Sequence, residues 1–236
     1  MTDGNNTPGK GHINPISRAI FEIREIFAEL GFAVAIGPEL EKDFYNFDAL
    51  NFPKDHPARD MQDTFWLKPV SDGKLLRTHT STVQIRHMQA NKPPIRIVVP
   101  GKVFRNEATD ATHEAQFFQV EALYVDKNVT LAHLKGVIEY FFKKFFGDDV
   151  VIRFRPSFFP FTEPSVEVDM KFKGKWLEMG GAGLVHPNVL KNVEINPKEW
   201  SGFAFGFGID RLVMVKYGIS DIRLFYGGDL RLVSQF

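Results

Sequence analysis

The chain has no cysteine among its 236 residues, which excludes disulfides, thiolate metal sites and a cysteine nucleophile. It also lacks any apolar run near the ~18 residues that a membrane span needs. Its opening stretch, Met1 to Gly11, is rich in Gly, Asn and Thr and holds no hydrophobic signal core. No membrane contact is therefore expected, and a cytoplasmic location is. An excess of charge is missing as well, since 29 basic residues offset 29 acidic ones. Contact with nucleic acid must then rest on a local patch or on a partner. There is no P-loop, no internal repeat and no low-complexity linker. What the sequence holds in quantity is phenylalanine, with 24 residues, several of them between 141 and 161. Most belong to a core, and the question is which do not.

With 44% hydrophobic and 25% charged residues, this length suits one large domain. Residues 1–13 read as a disordered tail and 14–236 as the folded domain. Asn14 before Pro15 is an N-cap with proline at the first helical position. Ile16, Ala19, Ile20, Ile23, Ile26, Phe27 and Leu30 follow at helical spacing, and Gly31 ends the run. Further helices are expected over 81–90, 130–146 and 208–217. Strands are expected over 32–36, 64–67, 74–78, 95–99, 102–106, 116–125, 150–154, 165–172, 175–179 and 202–205, with a polar loop over 51–63. Runs of strands without a regular βαβ alternation argue for an α+β fold, an antiparallel sheet flanked by helices.

The strand at 116–125 carries the clearest chemical signal. Period two puts Phe117, Gln119, Glu121 and Leu123 on one face and Phe118, Val120, Ala122 and Tyr124 on the other. The second set is plain core. The first mixes a ring with an amide and a carboxylate, which burial tolerates only when they have partners. A site that stacks a base and binds polar groups would look like this; so would a half-exposed sheet face. Ahead of it, Arg105 ends a strand, where a guanidinium can grip phosphate bidentately. A polar loop with Glu107, Asp110, His113 and Glu114 follows, suited to close over a nucleotide or to serve as an ordinary hairpin loop. Gly206-x-Gly208-x-Asp210-Arg211 lacks the third glycine of a dinucleotide fingerprint. Its small residues let backbone approach a ligand that Arg211 can face, although a tight strand-to-helix turn with a surface arginine has the same pattern.

Taken together these stretches acquire a family likeness. Phe104-Arg105-Asn106-Glu107 with its flanking strands resembles motif 2 of the class II aminoacyl-tRNA synthetases, and Gly206 to Arg211 resembles motif 3. The helix from Pro15 and its following strand stand in the place of motif 1, the dimer-forming element. More specific are the strings from Arg153 to Ser165, Leu76 to Ser81, Asn46 to Leu50, His186 to Leu190 and Ser201 to Gly206. Over residues 12–236 they resemble the α subunit of bacterial phenylalanyl-tRNA synthetase.

That resemblance implies a class II synthetase-like antiparallel sheet and a catalytic α chain. Such a chain activates L-phenylalanine with ATP and passes it to tRNA(Phe), working with a β subunit in an (αβ)2 tetramer. Arg105 and Arg211 would be catalytic, gripping the ATP phosphates, with Phe117 stacked on adenine. Glu107 and His113 would help hold adenine and pyrophosphate. His79, Ser81, Gln84, Gln119 and Glu121 would surround the substrate amine and carboxylate. Phe159 and Phe161, two apart in a segment that reads as extended, would pack edge-to-face on the substrate ring. Ala204 would form the pocket floor beneath the para position, and Gly180, Gly181 and Gly183 a flat wall. Glu163 resembles a Mg2+ ligand shared with the β subunit. No heptad run precedes Asn14, so the coiled-coil arm with which the family reaches tRNA is expected to be absent. The alternative is a non-catalytic paralogue acting as a binding or regulatory module. Such a chain would be expected to lose the phosphate arginines, and both are present.

Overall fold

Nine short and long strands and seven helices organise the residues described by the computed structural model, 11–59 and 64–236. Most of the expected tail, residues 1–10, and residues 60–63 of the expected polar loop lie outside them. In chain order the elements are α1 (Pro15–Glu29), β1 (Ala33–Val34), β2 (Leu40–Lys42), α2 (Asp43–Asn46), β3 (Lys74–Leu76) and α3 (Ser81–Ala90). Then come β4 (Ile95–Phe104), β5 (Gln116–Asp126), α4 (Leu131–Phe146), β6 (Ile152–Phe159), β7 (Thr162–Phe172) and β8 (Lys175–Val185). The chain continues through α5 (Pro187–Asn192), β9 (Ser201–Gly208), α6 (Ile209–Tyr217) and α7 (Leu230–Val233). Seven strands form one sheet in the order β1-β4-β5-β9-β8-β7-β6, and β2 pairs with β3 separately. All pairs in the large sheet are antiparallel except β1 with β4.

Local chemistry sets the main helices. The Asn14 side chain accepts from the Ile16 amide at 2.9 Å, which satisfies an orphan donor of α1. On one face of the sheet α1, α4 and α6 bury Ile23, Phe27, Phe141, Phe142 and Leu212 against Val120, Ala122, Phe203, Phe205 and Phe207. Phe27 stacks on Phe141 with centroids 5.2 Å apart, and Phe142 meets Phe207 edge-on at 5.2 Å. Each such pair adds about 0.5–1.5 kcal/mol beyond area burial. On the other face α3 and α5 cover Ile97, Val99, Leu123 and Val125 with Ile85, Met88, Val189 and Leu190.

The strand β9 shows why that second face is hollow. Its sequence alternates, with Phe203, Phe205 and Phe207 turned to the helix layer. Gly202, Ala204, Gly206 and Gly208 therefore point the other way. Small side chains at the centre of the sheet leave room that the neighbouring elements do not fill.

Several boundaries differ from the sequence expectation. β4 is one strand through Pro100-Gly101, where two strands were expected. The Phe104 amide bonds to Arg77 O and the Val98 carbonyl to Ala35 N, so even-numbered residues of β4 present their backbone groups away from β5. Pro100 shares that parity, and its missing N–H falls at the outer edge, where proline is tolerated. β6 and β8 also run longer than expected; Pro156 is accommodated because β6 is an edge strand. The expected strand at 32–36 shrinks to two paired residues, and 64–67 contributes only the bridge Trp66↔Leu75. No helix among the described residues is long and apolar enough to cross a membrane.

Candidate active site

The hollow above β5 and β9 divides into two adjoining cavities. The first, about 350 Å3, is mainly apolar. All eight residues expected to surround the amino acid line it: His79, Ser81, Gln84, Gln119, Glu121, Phe159, Phe161 and Ala204. The second, about 660 Å3, is lined by Arg105, Glu107, His113, Phe117 and Arg211, the five residues expected around the nucleotide. Arg105, Glu107, Gln119, Phe159, Gly181 and Gly206 belong to both walls.

A buried carboxylate dominates the polar end of the first cavity. Glu121 is 6% exposed, and it accepts from the Thr80 amide at 3.1 Å, from Ser81 Oγ at 2.5 Å and from Gln84 Nε2 at 2.9 Å. Ser81 and Gln84 thus hold Glu121, and α3 supplies both. Burial pushes the Glu121 carboxyl above its ordinary range despite these donors. A cationic group entering the cavity would favour the ionised form. Both ring nitrogens of His79 and the Gln119 Oε1 are covered and have no partner among the described residues. Burial, then the charge of Arg105, pushes the His79 imidazole down to about 3, so it is neutral. Unpaired polar atoms at a cavity wall are what a polar ligand would satisfy.

The apolar end is aromatic. Phe159 and Phe161 lie 5.7 Å apart with planes 10° from parallel. They do not occupy an extended segment as expected: β6 ends at Phe159, β7 starts at Thr162, and Phe161 stands in the hairpin turn between them. The chain reverses at Pro160, so the two rings are brought together by the turn and not by period two. A Cβ on Gly181 would come within 2.6 Å of the Phe159 ring, so only glycine lets that ring lie against β8. Gly183 serves another purpose, because a Cβ there would meet Thr162 and not the cavity. Phe52 closes the far side, 5.6 Å from Phe161 and stacked at 6.2 Å over His79. The sequence reading missed Phe47 and Phe52 as wall residues; the only signal was that Phe47 lies within the string from Asn46 to Leu50 and Phe52 two residues beyond it.

The second cavity is charged and more open. The Arg105 guanidinium sits 5.1 Å from the Phe117 centroid, 4.0 Å from Glu107, and its Nε donates to Thr78 O at 3.3 Å. Arg211 is exposed at the start of α6 and makes no ion pair with the described residues. Its neighbour Asp210 is buried and accepts from the Phe118 amide at 2.7 Å and from the Tyr226 hydroxyl. This carboxylate locks the first turn of α6, which carries Arg211, onto β5. Burial pushes Asp210 up to about 6 in spite of those donors. In the loop between β4 and β5, Asp110 accepts from the Thr112 and His113 amides and pairs with the His113 ring at 3.1 Å.

Glu163 lies elsewhere. Its side chain is 73% exposed, 3.2 Å from His186 Nε2, in a separate groove beside Pro160 and Pro164. No three acidic or imidazole side chains converge on a possible metal position among the described residues. One carboxylate and one imidazole do not fit the octahedral oxygen shell of Mg2+, so this chain alone does not complete a site for it.

Comparisons with known proteins bear on the family and on the fold. The family model for the tRNA synthetases class II core domain (F) matches residues 3–236. The Phenylalanine--tRNA ligase alpha subunit of Synechocystis sp. is 55% identical over 227 residues, covering 96% of this chain and 68% of that protein. The protein of the same name from Shigella boydii is 56% identical over 227 residues, again 96% of this chain and 68% of the relative. Among solved structures, pyrrolysyl-tRNA synthetase from Desulfitobacterium hafniense superposes with a TM-score of 0.70 at 18% identity, over 92% of this chain and 74% of that one. At that identity the likeness speaks for the fold alone.

Proposed function

The chain belongs to the family of phenylalanine--tRNA ligase alpha subunits, within the class II synthetase core, and from that premise we propose how its two cavities divide the work. It is the catalytic α chain of an enzyme that joins L-phenylalanine to ATP as phenylalanyl-adenylate and transfers the aminoacyl group to tRNA(Phe). The observation that carries this reading is the shared wall: an aromatic cavity with a buried carboxylate opens onto a charged cavity with two arginines.

The amino acid enters the first cavity ring first, between Phe159, Phe161 and Ala204. Its ammonium meets Glu121, with neutral His79 and Gln119 in the wall beside it. ATP occupies the second cavity with adenine on Phe117 and its phosphates between Arg105 and Arg211. The substrate carboxylate then lies at the wall formed by Arg105, Gln119 and Gly206, where it attacks the α-phosphorus in line and pyrophosphate leaves. No protein nucleophile is needed, so positioning and neutralisation of the developing charge carry the rate. Glu107 and His113 stand where they can hold adenine and the departing pyrophosphate.

The partners follow from the same reading: a β subunit in an (αβ)2 tetramer, tRNA(Phe), and a cytoplasmic location. Residues 14–236 act as one catalytic domain. Mg2+ accompanies ATP, and Glu163 gives at most one carboxylate to an ion completed by ligands outside this chain. The test is phenylalanine-dependent exchange of pyrophosphate into ATP by the chain co-expressed with its β subunit. Exchange is expected with phenylalanine and is expected to fall to a small residual rate in Arg211→Ala. A folded assembly without exchange would sink the reading.

A further inference from the structure

The two pocket rings stand on a hairpin whose tip is secured by side chains as well as by the β ladder. β6 and β7 pair regularly up to Ser157↔Ser165, then the register shifts before Phe159↔Thr162. The β7–β8 register shifts over the same stretch, between Thr162 and Ser165. Within this irregular patch the Phe159 amide donates to Ser165 Oγ at 3.1 Å. Ser165 Oγ in turn donates to the Thr162 carbonyl at 2.8 Å, and Thr162 Oγ1 lies 2.7 Å from it.

A serine hydroxyl offers one proton and two lone pairs. Its proton is committed to the Thr162 carbonyl, so the Thr162 hydroxyl must be the donor in the third contact. Every bonding position of the Ser165 oxygen is then used. Both residues are buried, Ser165 at 6% and Thr162 at 4% exposed. Thr162 has no freedom to retreat, because β8 passes so close that a Cβ on Gly183 would lie 2.6 Å from Thr162 Cβ. Asn51 Nδ2 holds the Pro160 carbonyl at 2.7 Å and the His186 amide holds that of Phe161 at 2.9 Å. Those bonds brace the turn, whereas the Phe159 amide rests on Ser165.

We propose that Ser165, with Thr162 as its donor, is a positioning residue that seats the Phe159 ring in the wall between the two cavities and so sets affinity for the amino-acid substrate. This rests on the reading of the aromatic cavity as the phenylalanine site. Neither hydroxyl lines the nucleotide cavity, but Phe159 belongs to the walls of both, so affinity for ATP shifts less than affinity for phenylalanine and in the same direction.

The experiment is pyrophosphate exchange by the assembly with its β subunit, with active sites counted by single-turnover adenylate formation. Ser165→Ala is expected to raise the KM for phenylalanine about tenfold, the worth of one lost buried hydrogen bond, with a smaller rise in the KM for ATP through the shared Phe159 wall. A merely destabilised enzyme would lose active sites and keep both KM values. If Ser165→Ala does not fold, a second pair decides: Thr162→Ser keeps the donor and leaves the KM near wild type, while Thr162→Val removes it and raises the KM about threefold. Wild-type KM for phenylalanine in Ser165→Ala, or equal values in the two Thr162 variants, would overturn the proposal while the enzyme reading stands. A wild-type assembly with no phenylalanine-dependent exchange would overturn both.

Discussion

At the scale of single residues, the site is shaped as much by atoms left out as by groups put in. Ala204 is the only β9 residue of the hollow face that carries a Cβ into the aromatic cavity, since Gly206 beside it presents none. A Cβ at Gly206 would lie 3.0 Å from Glu121 Cγ and press on the buried carboxylate. Removing the Ala204 methyl should therefore extend the cavity without disturbing its polar end. We expect Ala204→Gly to raise kcat/KM for para-chlorophenylalanine by at least about tenfold while phenylalanine itself changes little, in line with what one methyl-sized volume discriminates. Exchange measured with both amino acids checks this; unchanged selectivity would show that the para position of the ring points away from Ala204. An added hydroxyl is a harder target, because an apolar wall rejects it only by about a hundredfold.

At the scale of elements, the arrangement of Arg211 depends on one carboxylate tying α6 to β5. Asp210 has a folded-state pKa of about 6 against an ordinary 3.8, so between those values the folded chain holds more protons than the unfolded one. Its contribution to stability is then greatest below pH 4 and declines as pH rises through 6, by up to about 3 kcal/mol. Asp210→Asn cannot titrate, and its single oxygen cannot serve both the Phe118 amide and the Tyr226 hydroxyl. The stability lost in Asp210→Asn should be largest near pH 4 and shrink toward pH 7, measured as urea midpoints; a difference constant with pH would refute the raised pKa. Elements of this kind were unequally legible. α1, α3 and α4 could be read because caps and a 3.6-residue period are local. The face of β5 could be read because alternation survives burial of one side. β4 could not, because Pro100 and Gly101 look like a break until Arg77 is in place; its guanidinium would lie 2.5 Å from a Cβ at Gly101. The stacking of Phe159 on Phe161 was hidden for the same reason, since it depends on a hairpin turn and on Gly181 in another strand.

At the scale of the whole molecule, the sheet has two faces with different tasks. Phenylalanines of β9 anchor the helix layer on one side, and the glycines and alanine between them open the two cavities on the other. The rigid layer beneath keeps the cavities at fixed separation, so each should respond to substitution separately except at their common wall. Phe161 lines only the aromatic cavity and Arg211 only the charged one. Phe161→Ala is expected to raise the KM for phenylalanine by more than about tenfold and leave that for ATP alone. Arg211→Ala should weaken use of ATP without moving the KM for phenylalanine. Combined, their losses in kcat/KM should add to within about 0.5 kcal/mol, as for sites without shared partners. Gln119 faces both cavities, so Gln119→Ala should shift both KM values and combine non-additively with each of the other two. A double-mutant cycle in which Phe161 and Arg211 couple as strongly as either does with Gln119 would mean that the aromatic and charged cavities act as one flexible site, and the division of labour between them would have to be abandoned.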